Sequence, residues 1–213
     1  MIDVETLRRE YTQGSLDVED LKSNPFDQFT VWFEQACKAQ LQDPNAMSVA
    51  TVSVQGQPSL RTVLMKHYDE DGFVFLTNYE SRKAREISEN ANVALMFPWL
   101  ALERQVIITG TASKISTSEA LKYFLKRPTE SQISAWASPQ SRIVESRKVL
   151  QMMWDKMKQK YADGKVPLPS FWGGYRVAPK TVEFWQGRKN RLHDRFLYSR
   201  QPDSSWAVNR LGP

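Results

Sequence analysis

Hydrophobic and polar positions along the chain change period at residue 46. Before it, Phe29, Trp32, Phe33, Ala36, Cys37 and Leu41 recur at three- and four-residue intervals. They form the buried stripe of a helix with Asn24 as N-cap and Pro25 at its first position, ending near Asp43-Pro44. From Ala46 the period is two. MSVATVSV and PSLRTVLMK read as a hairpin turning at Gly56, and GFVFLT, NVALMFPW and RQVIITGTASKI bring the total to five strands by residue 115. Ser81 caps a short helix over SRKAREISEN, and Ser116 with Glu119 forms a capping box for another through Tyr123 to Lys126. Pro128 is expected in the first turn of a further helix. Val149, Met153, Met157 and Tyr161 mark a core-facing stripe on a longer helix around 144–161. Four terminal strands are predicted, at 174–177, 181–186, 195–199 and 205–209.

Strands outnumber helices and several join through hairpins. The predicted class is therefore mainly β with peripheral helices, an α+β fold built on an antiparallel barrel. A Rossmann domain is excluded by the absence of GxGxxG after a first strand, and a P-loop is equally absent. Residues 1–23 mix charge and turn formers without a period and read as a mobile arm, which leaves 24–213 as a single domain.

Composition narrows the function classes. With 213 residues, 41% hydrophobic and 25% charged, the chain suits a soluble protein with one sizeable core or two small ones. No apolar run is long enough for a membrane span, and the charged start does not suit a signal peptide, so a cytoplasmic protein with no membrane partner is expected. The single cysteine, Cys37, forbids an internal disulfide and reads as a helix core residue. With two histidines and no CxxC, no metal site is expected. A net charge of +5 suits anionic partners, and a phosphorylated small molecule satisfies it as well as nucleic acid does.

Candidate chemistry concentrates near the end of the chain, in PSFWGGYRVAPKTVEFWQGRKNRLHDRFLYSR (169–200). Phe184 and Trp185 fall on opposite faces of a strand, and Gly187 reads as permitting a tight turn. Beyond it come Arg188, Lys189, Arg191 and Arg195, with His193 among them. A solvated cationic hairpin is one reading. The other is a site for a planar, phosphorylated ligand, because Trp172, Trp185 and Trp206 supply flat apolar walls beside anion-binding donors. Upstream, period two sends Arg61, Val63 and Met65 to one face and Thr62, Leu64 and Lys66 to the other. Arg82 and Lys83 follow the Ser81 cap, where backbone N–H groups favour an anion. Tyr123, Arg127 and Ser131 are spaced four apart, with Pro128 interrupting the helix, and Gln105 offers a donor and an acceptor to a heterocycle edge.

Taken in order, LRREY (7–11), RTVLMKHYDEDGFVFLTN (61–78), ESRKA (80–84), ERQV (103–106), SQISAWAS (131–138) with Gln140-Ser141, VPLPSFWGGYRV (166–177) and EFWQGRKNRLHDR (183–195) resemble the pyridoxine (pyridoxamine) 5′-phosphate oxidase family across nearly the whole chain. The resemblance implies an FMN-binding split β-barrel, as a homodimer with FMN at the subunit interface. It assigns Arg61, Thr62, Val63, Leu64, Met65, Lys66, Leu76, Thr77, Arg82, Lys83, Gln105, Gln140, Ser141, Trp185 and Arg195 to the flavin. Lys66, Tyr123, Arg127 and Ser131 match positions that grip the substrate phosphate. Arg191, Leu192 and His193 match those facing the pyridine ring, with Arg191 and His193 as the catalytic pair, and Arg8 and Tyr11 match an arm that closes over the substrate. Leu76 and Arg142 depart from residues common in relatives, and Arg188-Lys189 makes the following turn unusually basic.

The implied reaction is oxidation of pyridoxine 5′-phosphate or pyridoxamine 5′-phosphate to pyridoxal 5′-phosphate, serving vitamin B6 supply. Hydride passes from C4′ to flavin N5, and O2 accepts the electrons to give H2O2, with NH3 released from the amine. His193 reads equally as a base or as a hydrogen-bonding positioner. Three other functions compete: a different flavin-dependent oxidoreductase on the same barrel, a non-catalytic carrier that only binds pyridoxal phosphate, and a basic nucleic-acid-binding barrel, although no nucleic acid is expected as a partner.

Overall fold

The first helix begins as its sequence dictates. In the computed structural model, which describes every residue except 1, 2, 4, 5, 6 and 8, the Asn24 side chain accepts from the N–H of Phe26 at 2.9 Å, and α1 runs Pro25–Lys38. Its buried face includes Phe26, Gln28, Phe29, Trp32 and Ala36. Cys37 is exposed, a correction to its expected place in the core, because the helical turn gives the inner position to Ala36.

Eight strands follow: β1 (Ala46–Val52), β2 (Pro58–Asp69), β3 (Gly72–Asn78), β4 (Asn92–Trp99), β5 (Arg104–Lys114), β6 (Trp172–Gln186), β7 (Asp194–Arg200) and β8 (Trp206–Arg210). They form one sheet in the order β3-β2-β1-β4-β5-β6-β7-β8. A second pairing, β3 with β6, closes the first six into an antiparallel barrel and leaves β7 and β8 beyond it. The helices are α2 (Arg82–Glu89), α3 (Thr117–Leu125), α4 (Thr129–Ala137) and α5 (Arg147–Lys160). The Ser81 cap and the Ser116/Glu119 capping box are both present, whereas Pro128 stands before α4 rather than inside it.

Two of the predicted strands merge. Residues 172–177 pair with β3 and residues 181–186 with β7, but β6 is continuous between them. Pro179 sits where β6 exchanges one partner for the other, a point at which its missing N–H costs no bond to either.

Two compact units are distinguished, each built from separate stretches of chain. One unit comprises 1–49, 94–110 and 179–213. Its core is aromatic: Phe29 meets Phe97 edge-on at 5.0 Å, Trp32 meets Phe184 at 5.2 Å, and Phe184 meets Tyr198 at 5.5 Å. Much of the stretch expected as an arm is tied into this unit. Leu16 is buried and its N–H donates to Asp194, the Gln13 N–H donates to Glu103, and Lys22 C=O accepts from the Tyr198 hydroxyl.

The other unit comprises 50–93 and 111–178. Phe124, Ile133, Val166 and Trp172 form one of its cores, and Trp154, Met157 and Tyr161 pack against them. The stripe expected on α5 is therefore shifted: Met153 is exposed, Trp154 takes the inward position, and no residue of α5 is fully buried.

Candidate active site

Strand β2 places its two cations on opposite sides, as period two requires. Met65 pairs with Phe75 and His67 with Val74, so β2 spends one residue more than β3 and Lys66 is the extra residue of a β-bulge. Thr62, Leu64 and Lys66 line a cavity of about 760 Å³ that belongs wholly to the unit of 50–93 and 111–178. Arg61 turns the other way, to the buried carboxylate of Glu86.

The same cavity brings together residues far apart in sequence. Tyr123 from α3, Arg127 from the α3–α4 connection and Ser131 from α4 all reach it, despite the interruption at Pro128. Arg127 has no acidic partner among the described residues. Its Nη1 is buried without a hydrogen bond, its guanidinium lies 5.0 Å from the centroid of the Trp172 ring, and burial pulls its pKa down. A guanidinium held in this way is poised for an anion. Burial, and then the nearby Glu119 carboxylate, pushes the Tyr123 pKa up, so its hydroxyl keeps the proton it would donate.

Val63, Leu76, Thr77, Lys83 and Gln140 contribute the remaining predicted lining. The buried Lys83 Nζ donates to Thr77 Oγ1 at 3.2 Å and Gln140 Oε1 at 3.1 Å, and both acceptors are neutral. Burial, and then the charge of Arg61, lowers its pKa. A buried ammonium between neutral acceptors is the second anion-seeking group of the cavity. Arg82, like Arg61, binds Glu86. Met65 is buried and does not line the cavity, and neither does Ser141, whose φ is 65°.

A second cluster belongs to the unit of 1–49, 94–110 and 179–213. Trp185 and His193 lie with ring centroids 4.7 Å apart, and Tyr11 stands edge-on to both, at 5.8 and 5.4 Å. Gly187 is needed here for a reason other than the turn geometry expected. Its φ is not in the left-handed region, but a Cβ on it would come within 2.9 Å of the Tyr11 ring. The His193 ring is held by the N–H of Arg188, which donates to Nδ1 at 3.1 Å. Asn190 and Arg191 are consecutive left-handed residues, with φ of 56° and 59°, an arrangement costly for arginine and of a kind that concentrates at functional sites. Arg191 and Leu192 are exposed and Gln105 is half-buried. Arg195 is paired: its Nε donates to Glu183 Oε1 at 2.8 Å and its Nη1 to the carbonyl of Gly212 at 2.8 Å. Arg8 lies outside the described residues.

Two features around the cavity have no role assigned from sequence. Trp172 reads there only as a flat wall and is the surface under Arg127. Glu86 gives a faint signal in its i,i+4 spacing from Arg82, which does not separate a solvated helical pair from a buried hub.

A family described as "Pyridoxamine 5'-phosphate oxidase" matches residues 33–161, and one described as "Pyridoxine 5'-phosphate oxidase C-terminal dimerisation region" matches 172–213. The chain belongs to the pyridoxine/pyridoxamine 5′-phosphate oxidase family. Relatives so named from Rippkaea orientalis and Crocosphaera subtropica are 57% and 58% identical over 212 and 214 residues, covering 100% of both chains in each case. Among solved structures, PhzG from Burkholderia lata 383, in complex with tetrahydrophenazine-1-carboxylic acid, superposes with a TM-score of 0.86 at 30% identity, covering 94% of this chain and 100% of that one. A pyridoxamine 5′-phosphate oxidase-related, FMN binding protein from Nostoc punctiforme shares the fold, with a TM-score of 0.69 at 16% identity over 91% of this chain and 100% of that one. Membership makes the chain an oxidase, and the split barrel expected from sequence is the fold observed. Among the described residues, no helix is long and apolar enough to cross a membrane.

Proposed function

We propose that the chain oxidises pyridoxine 5′-phosphate or pyridoxamine 5′-phosphate to pyridoxal 5′-phosphate, releasing ammonia from the amine, as a cytoplasmic enzyme of vitamin B6 supply. FMN is the cofactor that belongs with this family. When bound, it supplies the acceptor for hydride from C4′ and returns the electron pair to O2 as H2O2.

The observation that carries the reading is the unpartnered Arg127 Nη1, buried in a cavity wall shared with Lys66, Tyr123 and Ser131. Two cations and two hydroxyls converge without a carboxylate among them, which suits a phosphate monoester and no neutral ligand. Fixing that phosphate converts remote binding energy into alignment of the reacting carbon. The cavity also holds Lys83, a buried ammonium lacking an anion, so the residues present fit a second phosphate, that of FMN. Lys83, Thr77 and Gln140 would hold it from the cavity wall, joined by Arg61 and Arg82, which lie off that wall on Glu86 beside Lys83, and Trp185 offers an apolar face to a flat ring.

Arg191 and His193 would face the substrate ring. The N–H of Arg188 occupies the Nδ1 lone pair of His193, so the neutral imidazole carries its proton on Nε2 and presents a donor. This supports a positioning role for His193 over a base. The match of residues 172–213 to a dimerisation region supports a homodimer, with FMN held between its copies.

The deciding experiment records the visible spectrum of the purified protein and then adds pyridoxine 5′-phosphate without oxygen. Bleaching of a yellow protein, followed by H2O2 when air is admitted, is the expected result. A colourless protein that binds single-stranded nucleic acid would overturn the reading.

A further inference from the structure

We propose that Glu86 is a positioning residue: its buried carboxylate aligns Arg61 and Arg82 so that, with Lys83, they form one receptor for the phosphate of FMN. The inference rests on the assignment of those three cations to FMN made above, and it adds a residue whose side chain touches neither ligand.

Glu86 is 5% exposed, and four donors surround it. Its Oε2 accepts from the hydroxyls of Thr51 and Ser59, each at 2.5 Å, and from Arg61 Nη2 at 3.4 Å. Its Oε1 accepts from Arg82 Nε at 2.7 Å. Thr51 and Ser59 lie on paired strands β1 and β2, and Glu86 lies on α2, so one carboxylate ties the hairpin to the helix. With both oxygens engaged, its orientation leaves little freedom to the two guanidinium groups.

The same hydroxyls fix Arg61 a second time. Its Nη1 donates to Thr51 Oγ1 at 2.6 Å and its Nη2 to Ser59 Oγ at 2.5 Å. Arg82 is anchored only through Nε, and its two terminal nitrogens make no hydrogen bond among the described residues. The pairing therefore holds the stem of Arg82 and leaves its fork open to a ligand.

Charge points the same way. Arg61, Arg82 and Lys83 carry three positive charges and Glu86 one negative, a net of +2. A phosphate monoester carries about −1.5 to −2 near neutral pH. Burial pushes the Glu86 carboxyl up, but hydrogen bonds from Ser59, Thr51 and Arg82 outweigh it and bring its pKa down to about 2, so the carboxylate stays charged. A purely mechanical link between hairpin and helix would need neither the ion pairs nor the open fork.

The test uses the full chain stripped of flavin and titrated with FMN or with riboflavin, which lacks the phosphate, while flavin fluorescence is followed. Glu86→Gln removes the charge, and Glu86→Asp keeps it but withdraws the oxygens. Both are expected to weaken FMN by about tenfold or more while changing riboflavin affinity by less than about twofold. FMN affinity equal to or tighter than wild type in both variants, or equal losses for FMN and riboflavin, overturns the proposal. Should Glu86→Gln fail to fold by thermal melt, the titrations of Glu86→Asp decide by the same criteria. A wild-type chain that binds neither flavin sinks the flavin assignment itself, and this inference with it.

Discussion

The backbone N–H of Arg188 donates to Nδ1 of His193 at 3.1 Å, across a turn in which Asn190 and Arg191 are both left-handed. Burial lowers the His193 pKa, Arg191 lowers it further, and Asp194 opposes them with a smaller effect. The imidazole is thus neutral at pH 7, with its proton on Nε2. Nitrogen NMR of labelled protein should show this tautomer. Turnover should hold as pH falls to about 6.5, the usual histidine value, and decline only below it. The linkage has a definite sign: a folded-state pKa below the unfolded one means that protons bind the unfolded chain better, so this residue's contribution to stability is present above the unfolded value and lost as pH falls through the folded one. A base role would instead require an unprotonated Nε2, so a proton found on Nδ1 would overturn the positioning assignment.

Arg127→Ala removes a guanidinium whose only described ring contact is Trp172 and whose Nη1 is unpartnered. A charge-assisted hydrogen bond is worth about 1.5–3 kcal/mol, so KM for the phosphorylated substrate should rise about 10- to 100-fold. Unphosphorylated pyridoxine, a poor substrate for either protein, should be turned over equally by both. An unchanged KM would remove Arg127 from the phosphate grip.

Lys83→Met replaces a buried ammonium that, among the described residues, bonds only the side chains of Thr77 and Gln140. Folding should survive, because both neutral partners can turn to water. FMN retention should fall about tenfold or more, and its dependence on salt should flatten as a phosphate contact is lost. Equilibrium dialysis at two ionic strengths measures both. Wild-type affinity would deny the contact.

Gly187→Ala puts a methyl group within 2.9 Å of the Tyr11 ring, so the packing of that ring against Trp185 and His193 must shift. If Tyr11 closes over substrate, KM should rise severalfold in Gly187→Ala, and Tyr11→Ala should cost the same. The double variant should then cost no more than either single one, because both act on one contact. Additive losses would show that Gly187 matters for another reason.

Local chemistry was legible in the sequence because it acts over a few residues. Asn24, Ser81 and Ser116 cap helices wherever the chain carries them, and the period of two on β2 already separated Arg61 from Lys66. Two failures share one cause. Cys37 and Met153 had the right spacing for a buried stripe, but periodicity fixes an apolar face only to within a residue: Ala36, expected beside Cys37, is buried without it, and Trp154 turns inward in place of Met153.

By itself the sequence determined the strands and helices, the motifs that mark the family, and which residue types were present to hold phosphate. Only the tertiary structure decided which of them meet. Convergence of Tyr123, Arg127 and Ser131 across the break at Pro128 depends on how α3 and α4 pack around Trp172, and the capture of two arginines by Glu86 depends on a hairpin lying against a helix. Such pairings are set by long-range packing, for which spacing along the chain has no measure.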